Sequence, residues 1–531
     1  MLHVRRGVLF SLLMALVLLG GLVTGAVAQD EQVLVIGHAE ITDSYDPANG
    51  FTQTTGIVNR ATYQTLVTFP DADASEILPL LATDWTISED GTQYTFNLRE
   101  GVTFSNGDPL TADDVVFSMK RLQNVNGNPS FLADPIVDVV ADDDMTVTFT
   151  LESVRPSFLA ELANTVFSIT NADEVRANGG TDAADAEETD TAEDYLNQNS
   201  AGTGPYILES WTPQEETVLV RNPNYWGEDL PFFDRVLIVN IPEAATQKVA
   251  LESGDIDLAT DLSPDQVAEL ADNPDISVFI GPGNIHHFLI MNADPEIGGP
   301  VSDPLVQRAI RLALDYDGYT DLWEGSIQPG SDLAFGLAGA FGPDQALSRD
   351  LDTARELLAE AGFPDGFDIV MTYPDLTFGG IPFATNAQKI QADLAEVGIN
   401  VELNPQDFQI ALEEYREGDQ GFGYWLWGPD INDPADLLSF MPGGKVAGER
   451  LNWNDDNAPP EIVALRDQFA VESDPERRLE LVAEIQTALQ ETSPTAPFNQ
   501  PAVQIAFRSD IEGFVWHPQW LLDVALLSRV G

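Results

Sequence analysis

Residues 353–371 read TARELLAEAGFPDGFDIVM, and residues 387–403 read AQKIQADLAEVGINVEL. The two stretches share one plan. Apolar residues recur at helical spacing (Leu357, Leu358 and Ala361; Ile390, Leu394 and Val397), a glycine follows, and a short apolar run comes next. Gly362 and Gly398 stand where a helix usually stops, because glycine enters left-handed backbone without a steric penalty. The runs from Phe367 to Met371 and from Ile399 to Leu403 then read as strands. Helix–glycine–strand alternation of this kind predicts an α/β lobe.

Working outward, Phe288 to Met291 and Gly423 to Trp427 add strands, and Leu305 to Leu314 and Pro475 to Leu489 add helices. The first half is β-rich and less regular. Val33 to Ile36, Tyr94 to Leu98, Met145 to Leu151, Val218 to Arg221 and Val236 to Ile241 read as strands. Asp90-Gly91 supplies a hairpin turn before Tyr94. Thr111 caps a helix reaching Leu122. The tail, Val503 to Phe507 and Phe514 to Trp520, returns to strands and turns. Two unequal lobes follow, with the chain re-entering the first at its end. Asn171 to Ser200 is rich in Asp, Glu, Ala and Thr and poor in large apolar residues. It reads as a solvated, partly mobile acidic insertion.

The chain has 531 residues, 24 Lys plus Arg and 87 Asp plus Glu, for a formal charge of −63. Such a surface repels phosphate backbones, which excludes nucleic acid as a partner. The 27 Phe and 9 Trp supply a core that a disordered acidic chain lacks. Cysteine is absent, which excludes disulfides, thiol catalysis and Cys-ligated metals. No phosphate-binding glycine loop, dinucleotide fingerprint, Gly-x-Ser-x-Gly elbow or His-Glu-x-x-His occurs. His286-His287 are adjacent on a strand and point to opposite faces, so they do not share an ion. No cofactor and no metal is expected.

Arg5-Arg6, an apolar run from Val8 to Val23 and Ala26-Val27-Ala28 read as a secretory signal peptide cut after Ala28, the alternative being an uncleaved N-terminal anchor. The paired arginines also permit twin-arginine export. The protein is expected to be exported, periplasmic or extracellular, and associated with the cell envelope.

Five segments resemble the family-5 extracytoplasmic solute-binding proteins of ABC importers, the group with dipeptide-, oligopeptide- and nickel-binding members. The longest runs from Leu78-Pro79-Leu80-Leu81-Ala82 through Trp85, Ser88-Glu89-Asp90-Gly91 and Tyr94 to Gly107, and closes on Leu110 to Val115. The others are Gly202 to Tyr206 with Arg221 to Trp226, Gly254-Asp255-Ile256-Asp257, Ala354 to Phe363, and Trp427 to Pro434. They stand in the family's order and cover essentially the whole mature chain. Two departures are the missing lipobox cysteine and Ala313-Leu314-Asp315-Tyr316 where the family usually has Ala-x-Asp-Arg.

The resemblance implies an α/β, two-lobed, hinged fold that traps solute and carries an extra subdomain in the first lobe. The expected division is a signal peptide at 1–28, first lobe at 29–75, extra subdomain at 76–200, first lobe again at 201–285, second lobe at 286–498, and a first-lobe return at 499–531. The crossings are expected near Ile285–Met291 and Pro497–Pro501. The expected function is capture of a small solute, most directly a peptide, by a monomer that delivers it to a membrane ABC permease. An oligosaccharide is the alternative solute. A secreted carboxylate-dependent hydrolase is the alternative from another class, and a receptor-coupled sensor is a third.

In peptide-binding relatives, the Asp of a Trp-x-x-Asp segment pairs with the ligand's α-ammonium; here that position is Asp430, three residues after Trp427. The strand before it can add an extended peptide, with Trp425 and Trp427 on one face and Tyr424 on the other. Asp433, His287, Phe288, Phe51 and Tyr373 complete the candidate ligand-binding set. Arg60, Arg416 and Arg450 are the arginines considered for a ligand carboxylate.

Overall fold

The computed structural model describes residues 31–530 except Ser75 and Asp229. The signal-peptide reading falls outside them. Among the described residues no helix is long and apolar enough to cross a membrane.

The two quoted stretches form the helices Leu351–Glu360 and Phe383–Ala395 and the parallel strands Phe367–Pro374 and Ile399–Gln406. Both stops are left-handed glycines, Gly362 at φ 94° and Gly398 at φ 88°. Gly366 and Gly398 sit against each other where the strands begin. A Cβ on Gly366 would lie 1.8 Å from the Gly398 carbonyl oxygen, so only glycine permits this register. Ile390, Leu394, Ile399 and Met371 then close into one core, each side chain contributing roughly 1.5–3 kcal/mol by burial.

These strands belong to a five-stranded sheet ordered Ile399–Gln406, Phe367–Pro374, Phe422–Trp427, His286–Met291 and Thr495–Asn499. A seven-stranded sheet runs Ile276–Pro282, Ala502–Arg508, Leu258–Ala259, Val33–His38, Arg235–Asn240, Glu216–Arg221 and Tyr206–Thr212. A four-stranded antiparallel sheet, Ala82–Ile87, Gln93–Leu98, Thr146–Leu151 and Ile136–Asp143, packs its apolar face with the helix Ala112–Val125 into a further core. The chain passes from the seven-stranded to the five-stranded sheet through residues 283–285 and returns through residues 500–501. Both passages reach the five-stranded sheet at the edge where Pro374, Gln406 and Trp427 end their strands. The carboxyl ends of parallel strands are where open α/β sheets gather ligands.

One expectation is corrected. Residues 171–200 are not a mobile solvated loop. They form three short helices, Ala172–Ala177, Ala186–Thr189 and Glu193–Leu196. Val175, Ala192 and Leu196 bury against Phe117. Asp190 accepts from Arg121 Nε at 2.8 Å and Nη2 at 2.9 Å, while Arg121 also grips Asp46 at 2.7 and 2.6 Å. A buried arginine between two carboxylates anchors a segment whose composition alone reads as solvated.

Candidate functional site

The strand Phe422–Trp427 alternates as a two-residue period requires. Trp425 and Trp427 face one cluster with Phe288, Tyr415, Phe440 and Val446. Phe422 and Tyr424 face the other core with Tyr373 and Phe383. Trp425 stacks on Tyr415, with ring centres 4.4 Å apart, and donates its indole N–H to Gln420 at 2.8 Å. Tyr424 stacks on Phe383 at 4.5 Å, and its hydroxyl meets His287 Nδ1 at 2.5 Å and Asn386 Nδ2 at 2.9 Å. Tyr373 lies 6.5 Å from Tyr424. Burial pushes His286 and His287 down to about 3, so both imidazoles are neutral at pH 7. Tyr424, Trp425, His287, Phe288 and Tyr373 are thus interior side chains that form the wall behind the strand end.

Trp427 ends the strand and differs. Its indole N–H donates to Asp436 Oδ2 at 3.1 Å, and Asp436 Oδ1 accepts the Asp430 backbone N–H at 3.1 Å. Burial, aided by the nearby Asp430 carboxylate, pushes Asp436 up to about 8, well above the usual carboxylate range. Asp430 Oδ2 accepts from Lys445 Nζ at 3.0 Å. The Lys445 ammonium also sits 3.7 Å from the Phe131 ring centre. Phe51 meets Phe131 edge to face at 5.9 Å. Asp433 faces elsewhere: it caps the turn Pro434–Phe440 through the Ala435 N–H at 2.7 Å and pairs with Arg478. Its Oδ1 serves both that cap and that ion pair.

The loop after Trp427 is held by the other half of the molecule. Asn164 Nδ2 donates to the Asp430 carbonyl at 3.2 Å, and Asn432 Nδ2 donates to Gln519 Oε1 at 2.7 Å. Ile431 and Ala435 pack into the core of the four-stranded sheet. A polar cavity of about 370 Å³ lies in the first half, lined in part by Asn49, Asn128 and Ser130, the last of these next in sequence to Phe131.

Lys445 comes from a π-helical turn, Lys445–Arg450, a rare form often found at functional sites. Its formation depends on glycine: a Cβ on Gly448 would lie 2.5 Å from backbone atoms of Gly443. Arg450 ends the same turn, its guanidinium 4.7 Å from the Tyr415 ring centre and 5.5 Å from that of Trp427. Of the other arginines considered, Arg60 is taken by Asp523 at 2.8 Å and lies over Trp520, and Arg416 is exposed. The sequence reading missed Lys445, Asp436, Phe131 and Asn164. The one available signal was compositional, since the chain has only 4 Lys and one of them lies 15 residues after Asp430.

A family model described as bacterial extracellular solute-binding proteins, family 5 middle, matches residues 76–448. The chain is 27% identical over 520 residues to a probable D,D-dipeptide-binding periplasmic protein of Escherichia coli (strain K12), covering 95% of this chain and 96% of that one. It superposes on an ABC transporter-associated periplasmic binding protein from Helicobacter pylori, solved in complex with the peptide STSA. The TM-score is 0.74, the identity 26%, and the coverage 94% of this chain and 98% of that one. It also superposes on HbpA2 from Haemophilus parasuis, with TM-score 0.79, 25% identity and coverage of 94% and 100%.

Proposed function

Because the chain belongs to the bacterial extracellular solute-binding proteins of family 5, we propose that it is exported, captures a short peptide between its two halves as a monomer, and delivers it to the permease of an ABC importer without chemistry of its own. The dipeptide-binding relative and the peptide-bound structural neighbour support the solute class.

The observation that carries the peptide reading is the open end of one strand. Phe422–Trp427 pairs with His286–Met291 along its whole length, but meets Phe367–Pro374 only at Thr372↔Gly423. From Trp425 to Trp427 the backbone has no strand neighbour on that side among the described residues. An extended peptide adds there by main-chain hydrogen bonds. Asp430 stands at the end of this edge, its second carboxylate oxygen without a partner among the described residues, and accepts the peptide's α-ammonium. Closure about residues 283–285 and 500–501 is the accompanying hinge motion. Oligosaccharide is disfavoured because sugar stacking needs a free ring face, whereas Trp425 and Trp427 are only 4% and 7% exposed and Tyr415 stacks on Trp425.

The test is thermal melting of the mature protein against panels of di-, tri- and tetrapeptides and of oligosaccharides. A ligand of the folded state raises the melting temperature. Peptides are expected to raise it; a rise with sugars alone would overturn the reading.

A further inference from the structure

Asparagine followed by glycine occurs four times, at 49–50, 106–107, 126–127 and 178–179. Such a pair is chemically labile, because no glycine side chain shields the backbone nitrogen from the asparagine side-chain carbonyl. The fold holds three of the four. The Gly50 N–H donates to the Asp46 carbonyl at 2.8 Å, that of Gly107 to Phe104 at 2.9 Å and that of Gly179 to Arg176 at 3.3 Å. Their asparagine amides are held as well, Asn49 by Asp46 at 3.0 Å, Asn106 by Asp108 at 2.7 Å and Asn178 by the Glu174 carbonyl at 2.8 Å. The Gly127 N–H has no acceptor among the described residues, and the Asn126 amide reaches Glu187 only at 3.3 Å.

Both residues are nonetheless what the fold requires at this place. Asn126 stops the helix Ala112–Val125 in left-handed backbone, at φ 56°, which asparagine and glycine enter most readily. A Cβ on Gly127 would lie 2.2 Å from the Ala48 carbonyl oxygen and 2.6 Å from Asn49 Oδ1. A helix stop and a close approach thus set a labile pair against the polar cavity, with Asn126 exposed to water.

We propose that Asn126–Gly127 is a self-modification site, where the folded protein converts Asn126 to isoaspartate and aspartate. The Gly127 nitrogen bonds to Asn126 Cγ, the Cγ–Nδ2 bond breaks, and the amide nitrogen takes up the displaced proton and leaves as ammonia. One water then opens the succinimide ring at either carbonyl. Ser130 Oγ, 3.3 Å from Asn126 Oδ1, donates to the oxygen on which charge gathers during the attack. The product places a negative charge at a helix C-terminus, where the helix dipole disfavours it, and beside Glu187. Isoaspartate also lengthens the main chain where Gly127 fits closely, in the loop that leads to Phe131 under Lys445.

The test incubates the mature protein, folded and in denaturant, at mildly alkaline pH. Each Asn-Gly peptide is then mapped by mass spectrometry, with electron-transfer fragmentation to distinguish isoaspartate. In the folded protein Asn126 is expected to react about tenfold faster than Asn49, Asn106 and Asn178, equivalent to about 1.4 kcal/mol in the barrier. Isoaspartate is the larger product, and in denaturant the four rates converge. Asn126→Gly keeps the left-handed stop. It should abolish the acidic species that the wild type accumulates on ion exchange, and the fall in melting temperature that accompanies it. Reaction at Asn126 no faster than at the other three in the folded protein overturns the proposal. So does aspartate without isoaspartate, which would bypass Gly127, or equal accumulation of acidic species in Asn126→Gly.

Discussion

The Lys445 ammonium lies 3.0 Å from Asp430 Oδ2, so the carboxylate expected to hold a ligand's amine already holds one from the protein. The same ammonium rests on Phe131, next to a residue that lines the polar cavity of the first half. One side chain thus spans the junction where solute is proposed to sit, and it leaves one Asp430 oxygen for the solute.

Two substitutions separate these roles. Asp430→Asn should weaken binding of free-amine peptides by roughly 2–5 kcal/mol, the range for breaking a desolvated charge pair. Lys445→Met should instead strengthen it, by about 1 kcal/mol, because the ligand ammonium no longer competes with an internal cation. Titration calorimetry reads both. Unchanged binding in Asp430→Asn removes Asp430 from the site.

Gly448→Ala tests the π-turn. The added Cβ meets the Gly443 backbone, which cannot yield without displacing the turn that carries Lys445 and Arg450. Peptide affinity should fall by about tenfold or more, equivalent to about 1.4 kcal/mol. The melting temperature of the unliganded protein should move less than that of the liganded one. Wild-type affinity would show that the turn does not position the site.

His38 gives a pH prediction remote from the cleft. It is buried, with Nδ1 3.1 Å from Asp261 and Nε2 3.8 Å from Glu40. Burial opposes its charge, but the two carboxylates outweigh burial and raise it to about 10. A folded-state value above the unfolded one means the stabilisation is complete below about pH 6.5 and is lost as pH rises through about 10. The urea midpoint should therefore fall from pH 7 to pH 10. His38→Gln should lose roughly 2–5 kcal/mol at pH 7 and lack that alkaline component. Parallel pH profiles for the two proteins would contradict this.

Asp190→Ala should release residues 171–200. It leaves Arg121, 2% exposed, with Asp46 as its remaining carboxylate. The expected cost is about 3 kcal/mol, at the lower end for breaking a buried pair because Asp46 remains. Limited proteolysis should then cut within 171–200 before any global unfolding. Resistance equal to the wild type would mean that the apolar cluster around Phe117 suffices as an anchor.

The α/β half was legible because its signals are local. Gly362, Gly398 and the apolar spacing before them each act within one turn. The alternation of Tyr424 and Trp425 likewise follows from strand geometry, and placed them on opposite faces correctly. What was illegible is long-range pairing. Asp190 looked solvated because its partner Arg121 is 69 residues away. The pairing of Asp433 with Arg478 is equally long-range, and nothing near Asp433 in sequence announces it. Lys445 and Arg450 stand in a glycine-rich segment without periodicity, so no pattern connects them to Trp427. The stacking partner of Trp425, Tyr415, comes from the preceding helix and was likewise not legible.

The most direct measurement is native mass spectrometry of the mature protein purified without denaturation, with fragmentation of whatever it carries. The account predicts a mass increase that dissociates into short peptides with a free amino terminus. A bound sugar, or a blocked amino terminus on every bound peptide, would contradict it.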